Sequence, residues 1–105
     1  MTIDAREHLE SLVGREVFTL TKRHPNRVLR LERDAVIVAT RRSPHGEPVP
    51  IEWVQHGIDV LERDGSVEMT VESLGHRGAF VAAVLATIPG AVVEPTVPRR
   101  VTLRR

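Results

Sequence analysis

The chain has 105 residues, the usual size of one domain, and 41% of them are hydrophobic, which is enough for a modest core. It contains no cysteine, which excludes disulfides, thiolate chemistry and zinc sites with sulfur ligands. No apolar run is long enough to span a bilayer and the polar N-terminus does not resemble a signal peptide, so we expect a soluble cytoplasmic protein without membrane contact.

Charge is distributed unevenly along the chain, although the net charge is only +1. Residues 22–45 carry seven Lys or Arg against two acids, residues 46–75 carry one Arg against seven acids, and residues 96–105 carry four Arg and no acid. Fourteen of the fifteen cationic side chains are Arg, whose planar fork suits phosphates and guanine edges. The pattern indicates either an anionic partner or only the codon bias of a GC-rich genome.

A short amphipathic helix is predicted at the N-terminus, over residues 4–13. Asp4 and Glu7 have the spacing of a capping box, and Gly14 suits the end of the helix. Residues recurring at helical spacing form its apolar face: Ala5, Leu9, Leu12 and Val13.

An antiparallel meander is predicted next, with turns at "RHPN" and "RD". Residues 41–50 follow as a rigid loop, because three prolines and a glycine oppose regular structure. Runs rich in β-branched and other apolar residues give three strands: 16–21, 27–32 and 35–40.

The pattern of the second half predicts two helices, a strand and a hairpin. Pro50 suits the first turn of the first of these helices. The fold class is therefore α+β, a single domain over residues 1–105 whose helix–strand–helix–hairpin half is winged-helix-like. The elements expected there are a helix over 51–63, a strand over 66–71, a helix over 79–88 and two short strands in the tail.

The helix over residues 79–88 has only one polar residue, Thr87. A helix that is apolar on all sides is buried, either in its own domain or against a partner. Burial is expected for its large side chains, which are Val81, Val84, Leu85 and Ile88.

The first turn of the meander, "TKRHPNR", concentrates basic side chains. Such a hairpin tip suits a phosphate backbone, because each neutralised phosphate releases counterions. The alternative is a solvated turn whose charge opposes edge-to-edge aggregation. The candidate contacts are Lys22, Arg23 and Arg27, with His24 and Asn26 adding base or sugar contacts.

Two further segments are candidates for anion contacts. The proline-rich loop presents Arg41, Arg42, Ser43 and His45 on a stiff backbone, as a pocket wall or a backbone grip, or else it is only a tight connector. The stretch "GHRG" precedes the last helix, where His76, Arg77 and free N–H groups suit a phosphate, unless it is an ordinary turn.

Catalytic and metal sites are not predicted. The five histidines lack the H-x-H and H-E-x-x-H spacings, and no nucleophile is paired with a base, so we expect no enzyme activity, no metal and no cofactor. The acidic residues of the helix over 51–63 are read as a solvated face.

A family resemblance adds to these patterns. The segments "RRSPHGEPVPIEWVQ" and "GHRGAFVAAVLATIPG" resemble a small accessory domain of bacterial restriction-type and other DNA-directed proteins. The resemblance covers residues 41–90 and assigns no function to any single residue. It implies a catalytically empty module that works on DNA.

Two hypotheses follow. The chain is a module that binds double-stranded DNA by its phosphates and inspects a base or base modification in a loop pocket. Alternatively, it is an interaction or oligomerisation domain that uses the apolar helix over 79–88 toward a second copy or a partner nuclease subunit. The expected DNA contacts are Lys22, Arg23, His24, Asn26, Arg27, Arg41, Arg42, Ser43, His45, His76 and Arg77.

Overall fold

The computed structural model describes residues 3–70 and 77–104. Helix α1 (Ala5–Leu12) begins as the capping-box spacing predicts, because the Asp4 carboxylate accepts a hydrogen bond from the Glu7 backbone N–H at 3.2 Å. Its face of Ala5, Leu9 and Leu12 is buried. Val13 was assigned to this face wrongly: it is the C-cap, where the chain leaves the helix, and it is 42% exposed.

An antiparallel sheet of four strands follows α1, in the spatial order β1-β2-β3-β4. Val28, Val36 and Val38 point from it into the core. The strands are β1 (Glu16–Phe18), β2 (Pro25–Leu31), β3 (Ala35–Ala39) and β4 (Glu47–Pro50).

The fourth strand corrects the prediction that residues 41–50 are entirely loop. Among the described strands β4 pairs only with β3, at the edge of the sheet, and an edge strand tolerates proline because its outward N–H groups need no partner. Val49, between Pro48 and Pro50, is buried and attaches the strand to the core.

The first turn also lies earlier than "RHPN" predicts. β1 ends at Phe18, and Thr19 and His24 close the turn through a backbone hydrogen bond of 3.0 Å. Arg23 adopts a left-handed backbone conformation there, with φ of +56°. Leu20 lies within this turn and is buried, so the side chain expected in a strand anchors the turn instead.

Within residues 51–70 and 77–104, the second half has the element order that the sequence predicts. Its last three strands form a separate antiparallel sheet in the spatial order β5-β7-β6. The bounds are α2 (Ile51–Asp64), β5 (Ser66–Glu68), α3 (Gly78–Leu85), β6 (Ala91–Glu94) and β7 (Arg100–Leu103). The fold is α+β.

Helix α3 packs at the centre of the molecule. Every residue from Phe80 to Leu85 is buried, as is Ile88, which confirms the predicted burial of this helix. Side chains of α1, α2, both sheets and α3 belong to one hydrophobic cluster. Within residues 3–70 and 77–104, no helix is long and apolar enough to cross a membrane.

Candidate functional site

A cleft of about 650 Å³ opens where three segments meet. These are the turn between β1 and β2 (residues 19–24), the connection between β3 and β4 (residues 40–46) and the start of α3. We call it the arginine cleft. It is lined by Thr19, His24, Pro25, Asn26, Val38, Thr40, Arg41, Arg42, Val49, Arg77, Ala79 and Phe80.

The electrostatics of the arginine cleft are one-sided. Among the described residues that line it, three are arginines, one is a histidine and none is acidic. Arg41 and Arg42 are exposed, and neither forms an ion pair with any described residue. Their uncompensated charge favours an anion at the mouth of the cleft.

A hydrogen-bonded turn holds these two arginines. The Thr40 N–H donates to the Ser43 carbonyl at 3.1 Å, and the Ser43 N–H donates back to Thr40 Oγ1 at 3.2 Å. Gly46 continues the turn by donating its N–H to the same Ser43 carbonyl at 3.0 Å. Arg41 and Arg42 lie between these anchors, so their backbone is ordered before any ligand arrives.

Arg77 is positioned by a carboxylate. It occupies the N-cap of α3, and its guanidinium forms an ion pair with Glu47 on β4. Ser43 donates its hydroxyl to the other oxygen of the same carboxylate. The anion expected beside this helix start is therefore supplied by the chain itself. Because the ion pair carries no net charge, Arg77 offers a ligand in the cleft hydrogen-bond donors more than electrostatic attraction.

The Ser43 hydroxyl and the Arg77 guanidinium hold the pKa of Glu47 below its ordinary value of 4.5. A carboxylate with a lowered pKa in the folded state stabilises the fold above its ordinary pKa, and the stabilisation is lost as the pH falls through the lowered value. Glu47→Gln should therefore melt at a lower temperature than the wild type at pH 7, with the gap closing below pH 4.5.

Thermal melts from pH 7 to pH 3 would check this expectation. Glu10→Gln is the matched control, because Glu10 is exposed on α1 and its carboxylate has no partner among the described residues. If the difference in melting temperature between Glu47→Gln and the wild type stayed constant from pH 7 to pH 3, the stabilising role of the Glu47 charge would be contradicted.

Asn26 lies at the back of the arginine cleft. It is on β2 opposite Val17, on the face of the strand that Val28 buries, and it is only 7% exposed. Its side chain makes no hydrogen bond to any described residue. Among described side chains, only Arg100 has a polar atom that is sealed off without a partner, so the Asn26 amide is open to the cleft.

Other predicted contacts lie away from the arginine cleft. Arg27 follows Asn26 on β2, so it projects from the opposite face of the sheet. Arg23 stacks over the ring of Phe18 at 5.2 Å, also on that face. Lys22 is exposed in the β1–β2 turn and does not line the cleft. His45 is exposed within the β3–β4 connection and does not line it either, and His76 lies outside the described residues.

A second cleft, of about 780 Å³, lies at the other end of the first sheet. Its lining mixes charges, with Arg6 and Arg33 beside Asp34 and Glu52. The Arg6 guanidinium already donates to the backbone carbonyls of Glu32 and Arg33. The second cleft therefore carries charges of both signs, unlike the arginine cleft.

Metal-binding geometry is not found among residues 3–70 and 77–104, where no three His, Asp or Glu side chains cluster.

His8 connects α1 to the segment after α3. It is half-buried, and its Nε2 lies 2.8 Å from Thr87 Oγ1. Burial lowers the pKa of His8. This histidine therefore joins α1 to the segment after α3 as a neutral ring.

Comparison with known proteins finds no matching family model, curated protein or solved structure. The resemblance to accessory domains of restriction-type proteins accordingly stays a prediction. Function has to be argued from the chemistry of the arginine cleft.

Several lining residues were not singled out from the sequence. The apolar floor of Val38, Val49 and Phe80 carries no local signal that distinguishes it from ordinary core. Glu47 stands thirty residues from Arg77 along the chain, so only tertiary structure pairs them.

Proposed function

We propose that this chain binds double-stranded DNA at the mouth of the arginine cleft. The observation that carries the proposal is that Arg41 and Arg42, neither of which forms an ion pair with a described residue, lie beside Arg77 in one cleft with no acid among its described lining residues. Arginine is suited to phosphate oxygens because its fork donates two parallel hydrogen bonds.

The chemistry of each group suggests its role. Arg41 and Arg42 contact phosphates on a preordered turn, so little conformational entropy is lost when they bind. His24 adds a donor at the rim, and Lys22 extends the positive charge along the same turn. Arg23 and Arg27 face the other side of the sheet, so in this proposal they are peripheral.

Salt dependence tests this proposal. The chain should bind a short duplex with an affinity that falls as salt rises, because each neutralised phosphate releases counterions. Replacing both arginines, Arg41→Ala with Arg42→Ala, should weaken binding on every sequence. It should also flatten the slope of log affinity against log salt by about two units. Fluorescence anisotropy over a salt series measures both quantities.

The matched control removes the same charge elsewhere. Arg30 and Arg33 lie at the opposite end of the first sheet, so Arg30→Ala with Arg33→Ala should keep the wild-type slope. Equal losses in the two double variants would mean that binding depends only on net charge. No duplex binding at low salt would overturn the proposal.

A role in self-association or in binding a partner nuclease subunit is the second candidate. Helix α3 offers little surface for it, because Phe80–Leu85 are already buried in the chain's own core. Another surface favours it: Val92 and Val93 on β6 are more than one-third exposed, and Val97 in the β6–β7 connection is fully exposed. Because β6 is also an edge strand, it could pair with a second chain. Sedimentation of the wild type without DNA tests for a homodimer.

A further inference from the structure

We propose that the arginine cleft receives a single nucleotide rotated out of the duplex, with Asn26 hydrogen-bonding the edge of its base. This inference rests on the proposed DNA binding and names what occupies the interior of the cleft. Three observations carry it: the depth of Asn26, the apolar floor and the arrangement of charge at the mouth.

Asn26 is an unusual residue for its position. Inward positions of a half-buried strand normally carry β-branched or aromatic residues, and Asn is depleted there. Its neighbours on the same face, Val17 and Val28, follow that rule. Because the Asn26 amide is not sealed off and lines the cleft, only water in the cleft can satisfy it among the groups described for the free chain. The edge of a base, which carries both a donor and an acceptor, can replace that water.

The interior of the cleft suits a planar ring. Val38, Val49 and Phe80 provide an apolar surface at its floor, while Thr19, Thr40 and His24 contribute polar atoms at the walls. The volume of about 650 Å³ falls within the range of about 300–1,000 Å³ that is usual for pockets binding small ligands. A base could place one face on the floor and its hydrogen-bonding edge toward Asn26.

The geometry requires that the base leave the duplex. The charges that would hold phosphates, on Arg41 and Arg42, are exposed, whereas Asn26 is 7% exposed on the inward face of the sheet. A stacked and paired base cannot reach a side chain that deep. Proteins that act on a base in a pocket extrude it from the stack, and the cost is smallest when the base is already poorly paired.

The experiment compares a fully paired duplex with an otherwise identical duplex that has one central mismatch. The wild-type chain should bind the mismatched duplex at least about tenfold tighter, because less pairing energy opposes extrusion. With 2-aminopurine at the mismatched position, emission should rise when the chain is added, since the fluorophore leaves the stack. This second readout needs no variant, so it does not depend on whether a mutant folds.

Asn26→Leu identifies the residue that reads the base. Leucine keeps the branched shape of asparagine but has no polar atoms, and its larger apolar side chain can extend into the open cleft, so the variant should fold, and a thermal melt verifies this. It should bind paired and mismatched duplexes with equal affinity. The control with Arg30→Ala and Arg33→Ala should keep the preference for the mismatch.

The outcomes separate this inference from the proposed function. Salt-dependent binding that is equal on both duplexes, or that leaves 2-aminopurine emission unchanged, overturns the extruded nucleotide while DNA binding stands. A mismatch preference that survives in Asn26→Leu overturns the assignment of Asn26. No binding to any duplex removes the proposed function, and this inference with it.

Discussion

Leu85→Ala is expected to lower the free energy of unfolding by about 2–5 kcal/mol. Leu85 is the last residue of α3, and its side chain is fully buried in the cluster that joins both sheets to the helices. The variant loses the transfer free energy of the deleted isopropyl group, and it gains a cavity that the surrounding side chains fill only partly. Urea denaturation followed by circular dichroism measures the change.

Two controls separate core packing from an interface. Val92→Ala deletes apolar atoms from a position that is 38% exposed, so it should change stability by about 0.5 kcal/mol at most. Sedimentation at matched concentration should give the same mass for Leu85→Ala and the wild type. A variant that kept its unfolding free energy but lost self-association would show that α3 serves an interface instead.

The sequence predicted most elements of the fold, because their signals are local. The cap at Asp4 depends on residues within one helical turn, and the predicted helix over 51–63 is observed as α2, whose buried residues Val54, Ile58 and Leu61 recur at helical spacing. Burial of α3 followed from its lack of polar residues, since such a helix has no side that water would solvate.

The errors in the fold arise where tertiary context overrides local chemistry. Prolines predicted that residues 47–50 would be loop, yet an edge strand does not need the N–H groups that proline lacks. Leu20 has the pattern of a strand residue, but the core holds its side chain within a turn. Neither outcome can be read from neighbouring residues alone.

The candidate site was predicted in part. Five residues chosen for charge or polarity do meet in the arginine cleft, because the turn after β1 and the connection after β3 lie at the same end of the sheet. Strand alternation separates Asn26 from Arg27, which sequence proximity had grouped together. The five residues are His24, Asn26, Arg41, Arg42 and Arg77.

Gly46→Ala is expected to destabilise the fold by about 2–5 kcal/mol and to weaken DNA binding as well. Gly46 has φ of +97°, a conformation that costs an L-residue about 1–2 kcal/mol. An added Cβ would also lie 2.5 Å from Ile37 Cγ2 and 3.0 Å from Leu29 Cδ1. Relieving that overlap adds about 1–3 kcal/mol, because buried Ile37 has little room to move.

Gly65→Ala isolates the steric part of this effect. Gly65 also has a positive φ, +77°, but no atom lies within 4 Å of its added Cβ, so this variant should lose only about 1–2 kcal/mol. Gly46 closes the turn that presents Arg41 and Arg42, whereas Gly65 ends α2. Calorimetry should therefore rank Gly46→Ala as the less stable variant. Fluorescence anisotropy, at a temperature where both variants are folded, should show weaker duplex binding only for Gly46→Ala. Equal binding by the two would mean that the shape of this turn does not govern DNA contact.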